Sequence, residues 1–237
     1  MSDPQKPNLL LLGAQSSIGQ QFLSLNLGQN YNVYSTYSSK SFLGRQNAKK
    51  FSFELNLELP KSIQLFLEEL KDIHFDVVIF LIGRTSNLPL TSSDDSITRY
   101  LDTYIRNYAK LIFGIANKVG VRNKGKALFV NVSSRSVLYG SSDPLYAMAK
   151  SAIHSYIKSL SKLYSSNIVF HNLVPGLLKN SKMYLDMDPH LQSDHEMRSG
   201  GKLMSVDDFA LFLKQFILVN HTLHTNEIDI RVGPQYK

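Results

Sequence analysis

Short apolar runs alternate along the chain with segments in which apolar residues recur at the spacing of a helix. Residues 8–13, 75–83 and 127–132 are near-continuous apolar runs of strand length, and residues 60–71 show the helical spacing. Strands that are apolar on both sides are typical of a parallel sheet covered by helices on both faces. Because crossovers between parallel strands are right-handed, the alternation predicts a doubly wound α/β domain with three layers.

The rest of the chain divides into the same kinds of element. Seven strands of one parallel sheet are predicted, at residues 8–13, 31–37, 48–55, 75–83, 127–132, 167–174 and 227–232. Helices are predicted at residues 18–27, 60–71, 94–119, 144–164 and 206–219. Together these elements predict a single domain over residues 1–237. Residues 176–201 look irregular, and such long stretches in a compact domain are usually functional, so we expect a lid at about 177–201.

The composition favours a soluble cytoplasmic protein. The chain has no cysteine, hence no disulfide and no thiolate metal site, and its histidines suggest no metal site either. We expect no membrane-spanning helix, because no run of about 18 apolar residues occurs, and the N-terminal residues lack an apolar signal core. The formal charge is +7, but the cations are scattered. This pattern argues against nucleic-acid binding and suits a ligand that carries phosphate.

The clearest chemical motif is a tyrosine followed four residues later by a lysine. Tyr146 and Lys150 share one face of the predicted helix 144–164. An ammonium beside a phenol favours the phenolate and lowers the phenol pKa from about 10, so the tyrosine can donate and accept protons. Upstream, Ser134 could stabilise an oxygen that gains charge in the transition state. This set suits reduction of a carbonyl or oxidation of an alcohol.

A glycine-bearing loop joins the first predicted strand to the first predicted helix. Its sequence is Gly13-Ala14-Gln15-Ser16-Ser17-Ile18-Gly19. Glycine allows backbone amides to approach a phosphate, and the helix N-terminus carries a partial positive charge. The loop therefore predicts a site for the phosphates of a dinucleotide, with an ordinary strand-to-helix turn as the alternative.

Taken together, these motifs resemble the short-chain dehydrogenase/reductase family over residues 8 to 233. The family's G-x-x-x-G-x-G pattern falls on residues 13–19, with Ser17 in place of the middle glycine. The resemblance implies a Rossmann-type fold and a nicotinamide cofactor. It also implies that Ser134, Tyr146 and Lys150 are catalytic, that Lys150 binds the nicotinamide ribose, and that the Pro175-Gly176 turn lies beside the nicotinamide.

Two departures from the family pattern concern the fourth strand and the long fourth helix. The family usually carries Asn-Asn-Ala-Gly after that strand, whereas this chain has Phe80-Leu81-Ile82-Gly83. In the helix the family uses an asparagine to hold a water for proton relay. The helical register places Tyr104 there, and Asn107, one turn later, could take the role if the helix is shifted or bulged. Both assignments stay open, and Asn107 is included among the catalytic candidates.

The cofactor is expected to be NADP(H), with NAD(H) possible. An acidic residue at the end of the second strand would favour NAD, but the strand ends Tyr37-Ser38-Ser39-Lys40, where hydroxyls and a cation could receive a phosphate. Asn56 matches a family position near the adenine. The residues expected to bind the cofactor are Gly13, Gln15, Ser16, Ser17, Ile18, Gly19, Tyr37, Ser38, Ser39, Lys40, Asn56, Gly83, Tyr146, Lys150, Pro175 and Gly176.

The predicted function is a carbonyl reductase that uses NADP(H). The alternatives are an NAD-linked alcohol dehydrogenase and a dinucleotide-binding sensor or scaffold that has lost the chemistry. The predicted partners are a small carbonyl or alcohol substrate and copies of the same chain, as a homodimer or homotetramer built on the helices at 94–119 and 144–164. Cations of the lid, such as Lys179 and Lys182, could hold an anionic substrate or could be ordinary surface charges.

Overall fold

The structure, a computed structural model, describes residues 5–38, 51–89, 91–122, 126–219 and 227–230. Its strands form one sheet in the order β3-β2-β1-β4-β5-β6-β7, and every neighbouring pair is parallel. The strands are β1 (Asn8–Leu12), β2 (Asn32–Tyr37), β3 (Ser52–Glu54), β4 (Val77–Phe80), β5 (Ala127–Val132), β6 (Ile168–Pro175) and β7 (Glu227–Ile230). The predicted doubly wound, Rossmann-type fold with a seven-stranded parallel sheet is therefore confirmed.

Helices cover both faces of this sheet. The α-helices are α1 (Ser17–Ser24), α2 (Pro60–Glu69), α3 (Asp94–Leu101), α4 (Tyr108–Arg122), α5 (Ser136–Tyr139), α6 (Pro144–Leu163), α7 (Lys182–Leu185), α8 (Pro189–Arg198) and α9 (Val206–Val219). A short 3-10 helix spans Leu27–Gln29, and a π-helical segment, Asp102–Asn107, joins α3 to α4. In the described part of the chain, no helix is long and apolar enough to span a membrane.

The core consists of two apolar layers, one on each face of the sheet. In β1, Leu9 and Leu11 face the layer that contains Phe209 and Leu213 of α9. The alternate residues Leu10 and Leu12 face the opposite layer, together with residues of α2, α4 and α6. All four leucines of β1 are fully buried. The near-continuous apolar sequence of the strand thus follows from burial on both sides.

The strand order reverses direction at β1, which lies between β2 and β4. In open parallel sheets, ligands bind in the crevice at the carboxyl ends of the strands beside such a reversal. Four predicted functional segments follow strands that end there: the glycine loop after β1, Gly83 after β4, Ser134 after β5 and Gly176 after β6. The topology therefore gathers the predicted site at one edge of the sheet.

Several element boundaries differ from the sequence prediction. The lid is not irregular, because α7 and α8 lie within it, and Ser181 and Asp188 cap their N-termini with side-chain oxygens. The predicted helix 94–119 is interrupted by the π-helical segment. Strand β3 is shorter than predicted, and residues 48–50 of that prediction lie outside the described residues. The short helix α5 was not predicted.

Candidate active site

Ser134 and Tyr146 meet at the carboxyl end of β5. Ser134 follows this strand directly, and its hydroxyl accepts a hydrogen bond from the Ser136 amide, 3.2 Å between the nitrogen and the oxygen. Tyr146 lies in the first turn of α6 and is 8% exposed. Burial raises the pKa of the Tyr146 phenol above its ordinary value, while a hydrogen bond with the Ser134 side chain lowers it. The predicted serine and tyrosine are therefore in contact.

Lys150 extends from α6 to the ends of two neighbouring strands. Its Nζ donates hydrogen bonds to the carbonyl oxygens of Ile82 and Val132, each at 3.0 Å. Nζ lies 6.0 Å from the centre of the Tyr146 ring. Burial lowers the pKa of Lys150 from 10.5 to about 8. The three predicted catalytic side chains, Ser134, Tyr146 and Lys150, are thus gathered in one place.

Gly83 makes room for this lysine. A Cβ atom at position 83 would lie 2.6 Å from both Cε and Nζ of Lys150, and the residue has a φ angle of +153° that side chains rarely adopt. Only glycine therefore fits here without a shift of the lysine or the loop. The structure gives a steric reason for the one glycine that the chain keeps in the family's Asn-Asn-Ala-Gly segment.

The net shift of the Tyr146 pKa is upward in the structure, whereas the motif predicted that Lys150 lowers it. Burial is the main cause, and the negative charge of Asp143 raises the pKa further, against the effect of Ser134. A raised pKa keeps the phenol protonated at neutral pH. In this geometry Tyr146 is a proton donor more than a proton acceptor.

Asp143 is a site residue that the sequence analysis missed. Its Oδ1 accepts hydrogen bonds from the Tyr146 amide (3.0 Å) and the Ser86 hydroxyl (2.7 Å), and its Oδ2 accepts one from the Ser86 amide (2.6 Å). This carboxylate thus ties the loop after β4 to the start of the helix that carries the tyrosine. An aspartate directly before a proline that begins a helix is a capping signal, so the sequence did contain a sign of it.

The glycine loop has the geometry expected of a phosphate-binding turn. Gly13 has a φ angle of +87°, and a Cβ there would lie 2.7 Å from the Leu81 carbonyl oxygen. A Cβ on Gly19 would lie 2.6 Å from the Gly13 carbonyl oxygen, so α1 packs closely on the turn. Ser16 caps α1, because its hydroxyl accepts a hydrogen bond from the Gly19 amide at 3.0 Å. Ile18 follows in the first turn of α1, and the N-terminus of a helix favours an anion.

The end of β2 is fixed to the same loop. The Gln15 side-chain oxygen accepts hydrogen bonds from the amide and the hydroxyl of Ser38, at 2.8 and 2.7 Å. The hydroxyl of Thr36 accepts one from the Gly13 amide at 3.2 Å, and Tyr37 ends the strand half-buried. These contacts place Ser38 beside the glycine loop, as a phosphate-binding role requires. Ser39 and Lys40, which were predicted to join them, lie outside the described residues.

The remaining cofactor candidates lie at neighbouring strand ends. The Pro175 carbonyl oxygen accepts a hydrogen bond from the Arg135 amide at 3.0 Å, which brings the turn at Gly176 next to Ser134. Asn56 follows β3, and its side-chain oxygen accepts a hydrogen bond from the Glu58 amide at 2.9 Å. That contact organises the turn into α2, so the oxygen of Asn56 already has a structural partner.

Ser17, which replaces the family's middle glycine, links the loop to the lid. Its hydroxyl accepts a hydrogen bond from the Lys182 amide at the start of α7, at 3.0 Å. A glycine could not make this contact. The serine therefore adds a direct connection between the predicted phosphate loop and the predicted lid.

The two candidates for the proton relay face different surroundings. Asn107 is 2% exposed and its amide donates a hydrogen bond to the Leu57 carbonyl oxygen at 2.8 Å. The π-helical segment does bulge the helix here, as the Asn107 assignment requires, and the buried Oδ1 of Asn107 has no hydrogen-bond partner in the described structure. The ring of Tyr104 packs at a tilt against that of Tyr100, with 4.7 Å between ring centres. Burial raises the pKa of Tyr104, and the nearby charge of Arg84 lowers it in part.

Ser133, directly before Ser134 in the chain, points away from this set. The Ser133 hydroxyl lies 3.1 Å from Nδ1 of His154, whose Nε2 lies 2.8 Å from Oε2 of Glu227. Ser133 is 4% exposed, so this serine and histidine join β5, α6 and β7 in the interior. Strand alternation had indicated that the side chain of Ser133 faces away from that of Ser134. Ser136 begins α5, and its hydroxyl is buried.

A cleft of about 370 Å³ adjoins the start of α6. The loop at residues 85–89 and the turn at 142–144 form two of its walls, and Met183, Asp186 and Met187 of the lid form the third. It therefore lies between the Asp143 carboxylate and the lid. Met183 and Met187 of the predicted lid thus line this cavity.

Solved structures share the fold of this chain. One is L-sorbose reductase from Gluconobacter frateurii, complexed with NADPH and L-sorbose, with a TM-score of 0.78, 14% identity and 98% of each chain covered. Another is a variant of actinorhodin polyketide ketoreductase with NADPH, with a TM-score of 0.80, 14% identity and 98% of each chain covered.

A third similar structure is a short-chain dehydrogenase family protein from Francisella tularensis subsp. tularensis SCHU S4, with a TM-score of 0.72 and 21% identity over 95% of this chain and 97% of that one. No protein-family model matches the sequence, and no curated protein sequence matches it significantly. At these identities the likeness concerns the fold. Over nearly its whole length, the chain has the fold of short-chain dehydrogenase/reductase structures.

Proposed function

We propose that the chain is a short-chain dehydrogenase/reductase that reduces a carbonyl compound with NADPH. The observation that carries the proposal is the convergence of Ser134, Tyr146 and Lys150 at the carboxyl edge of the sheet, beside the glycine loop. A buried protein core alone does not need a phenol, an amine and a hydroxyl at one strand end. The similar structures determined with NADPH support the cofactor assignment.

The three side chains have complementary roles. Tyr146 gives its proton to the carbonyl oxygen as that oxygen gains charge. Ser134 donates a hydrogen bond to the same oxygen and holds it against the phenol. Lys150 uses two of its three N–H bonds on Ile82 and Val132, which fixes the ammonium beside the phenol. A fixed positive charge stabilises the phenolate that remains after proton transfer.

The residues of the glycine loop and its neighbours fit a dinucleotide. Gly13 and Gly19 allow the close backbone approach that a pyrophosphate requires, and the first turn of α1 presents its amides. The Ser38 hydroxyl donates to Gln15 in the structure, so it would exchange that hydrogen bond for one to a 2′-phosphate, with Ser39 and Lys40 as further predicted contacts. Gly83, Pro175 and Gly176 would border the nicotinamide. When bound, the dinucleotide supplies the hydride that the carbonyl carbon receives.

The preference for NADP(H) over NAD(H) rests on charge. No acidic side chain lies at the end of β2 to accept the ribose hydroxyls, and the chain has a net charge of +7. The NAD-linked alcohol dehydrogenase is therefore the second choice. Titration of the protein with NADPH and with NADH, followed by cofactor fluorescence, separates the two, since we expect tighter binding of NADPH.

The test of the proposal is NADPH oxidation in the presence of a broad panel of ketones and aldehydes. We expect absorbance at 340 nm to fall with at least one of them, and the Tyr146→Phe variant to turn over at least about 100-fold more slowly while it still binds NADPH. A variant that retains more than about a tenth of wild-type turnover would exclude the general-acid role.

A dinucleotide sensor without catalysis is the competing function. The hydrogen bond from the Asn107 side-chain nitrogen to Leu57 favours it, because one of the two polar groups that could hold the relay water is then occupied. Tight NADPH binding together with no turnover across the whole panel would support the sensor.

A further inference from the structure

The cleft beside the start of α6 is lined by negatively charged side chains. Its charged lining residues, within the described part of the chain, are Asp143 and Asp186. The uncharged polar groups come from the loop at 85–89 and from Ser142, and Met183 and Met187 add adaptable apolar surface. A ligand in this cleft would therefore meet carboxylates, hydroxyls and thioethers.

The positively charged side chains of the lid do not offset the negative charge of the cleft. Lys182 pairs with Asp186 at 2.8 Å, and Lys179 pairs with Glu196 at 3.1 Å. Arg198 pairs with Asp194 at 2.9 Å within α8. None of these three cations lines the cleft. The idea that they hold an anionic substrate therefore has no support in their positions.

Arg84 and Arg135, which are close in sequence to site residues, also do not line the cleft. Arg135, which follows Ser134, lies 3.6 Å from the carboxylate of Asp229 and 4.6 Å from the ring centre of Tyr139. The positive charge of Arg84 acts on the pKa of Tyr104, and Arg84 does not line the cleft. Neither arginine is therefore placed to hold an anion in the cleft.

The N-terminus of α6, which lies at this cleft, is capped by the carboxylate of Asp143. The N-terminus of a helix attracts anions, because its first amides have no partner within the helix. Pro144 has no amide hydrogen, and the Tyr146 amide donates to Oδ1 of Asp143 at 3.0 Å. The amide and hydroxyl of Ser86, on the facing loop, donate to the same carboxylate. These donors at the start of α6 and on the facing loop thus serve Asp143.

We propose that this cleft takes uncharged carbonyl compounds and discriminates against those that carry a carboxylate or phosphate, with Asp143 as the residue that determines the specificity. The inference rests on the proposed function, because the cleft adjoins the catalytic residues through Asp143, whose Oδ1 accepts a hydrogen bond from the Tyr146 amide. A carboxylate in the cleft would meet the like charge of Asp143 at short range and would find its natural donors occupied.

The test compares two ligands that differ in charge and scarcely in shape, isobutyramide and isobutyrate. Their dissociation constants are measured by saturation-transfer NMR, with and without NADPH, so that no turnover is needed. We expect isobutyrate to bind at least about tenfold more weakly than isobutyramide, and the difference to shrink as the salt concentration rises. Equal or tighter binding of isobutyrate, or no binding of either ligand, would overturn the proposal.

Two variants test whether the charge of Asp143 causes the weaker binding of isobutyrate. Asp143→Asn removes the charge and keeps a side chain that can cap α6, so we expect the discrimination to fall below about threefold. Ser86→Ala removes one hydrogen bond to the carboxylate and keeps its charge, so the discrimination should stay. Unchanged discrimination in Asp143→Asn would contradict the role of this residue. If that variant fails to fold, the salt dependence of the wild-type protein decides.

The binding test of the cleft and the activity test of the proposed function can fail independently of one another. Absence of NADPH oxidation with every ketone would count against the reductase, whereas the amide and carboxylate are compared by binding alone. A protein that reduces only keto acids would keep the reductase and refute the discrimination.

Discussion

The chemistry of the candidate site depends on how burial and charge act on single side chains. The sequence motif predicted that Lys150 lowers the pKa of Tyr146, but burial and Asp143 raise it in the structure. Burial also lowers the pKa of Lys150 to about 8. Both shifts disfavour the charged forms, as expected for groups removed from water. A phenol that stays protonated at neutral pH suits reduction better than oxidation.

The first prediction concerns the pH dependence of reduction. Below pH 8 Lys150 is charged and stabilises the phenolate that forms as Tyr146 loses its proton. Above pH 8 the amine becomes neutral, so we expect kcat/KM for the ketone to fall with an apparent pKa near 8. The measurement is kcat/KM from pH 6 to pH 10.

A control variant distinguishes the titration of Lys150 from that of His154. Burial lowers the pKa of His154 below its ordinary value of 6.5, so this histidine does not titrate near pH 8. The His154→Asn variant should therefore show the same fall in rate. A rate that stays constant up to pH 10 in the wild-type protein would contradict the assignment to Lys150.

At the scale of elements, the structure places the site through the ends of strands and the first turns of helices. The alternation of apolar runs was enough to predict the central strands β1, β4, β5 and β6, because burial on both faces leaves a clear signal. The π-helical segment Asp102–Asn107 left no such signal, since a change of helical period is hard to recognise over only six residues. The helices of the lid were missed because α8 is polar and buries no residue.

The motif residues were easier to predict than their surroundings. Ser134, Tyr146 and Lys150 could be named from spacing along the chain, and the topology then brings them together. The hydrogen bonds of Asp143 with Ser86 could not be predicted, because they join residues 57 positions apart. The same holds for the contact of Asn107 with Leu57, 50 positions away. Long-range polar contacts have no periodic pattern in the sequence.

The second prediction concerns the glycine at the end of β4. The Gly83→Ala variant places a Cβ 2.6 Å from Lys150, so either the lysine or the loop must move. We expect kcat/KM to fall at least about tenfold. Gly28→Ala is the matched control, because a Cβ at Gly28 has no atom within 4 Å. Equal activity of the two variants would contradict the steric role of Gly83.

The third prediction concerns the contact between the glycine loop and the lid. Ser17→Ala removes the hydrogen bond that the Lys182 amide donates, which is worth about 0.5–1.5 kcal/mol. We expect faster hydrogen exchange of the α7 amides, up to about tenfold, since the lid opens more often. Ser24→Ala, at the other end of α1, is the control. Unchanged exchange in α7 would mean that Ser17 does not hold the lid.

At the scale of the whole molecule, a single parallel sheet brings segments from all parts of the chain to one edge. Gly13, Gly83, Ser134 and Gly176 are far apart in sequence, yet each follows a strand that ends there. Two apolar layers hold the sheet on both faces, so the site lies at a rigid edge and the lid supplies its variable part. The cytoplasmic location remains a prediction from the sequence.

The fourth prediction concerns assembly. Phe113 of α4 and Met148 of α6 are 41% and 44% exposed, on the two helices expected to pair between subunits. We expect a homodimer or homotetramer in solution, and a smaller mass for Phe113→Glu by light scattering during gel filtration. Leu65→Glu, at an exposed leucine of α2, should leave the mass unchanged. A monomeric wild-type protein would contradict this prediction.

The central claim is that Ser134, Tyr146 and Lys150 support hydride transfer to a carbonyl carbon. Its most direct test uses NADPH that carries deuterium at both C4 positions, with a ketone that the protein consumes and mass spectrometry of the product. The account predicts an alcohol with one deuterium on the carbinol carbon, and almost none of this alcohol with Tyr146→Phe. An alcohol that contains no deuterium, or no alcohol from any ketone despite bound NADPH, would contradict it.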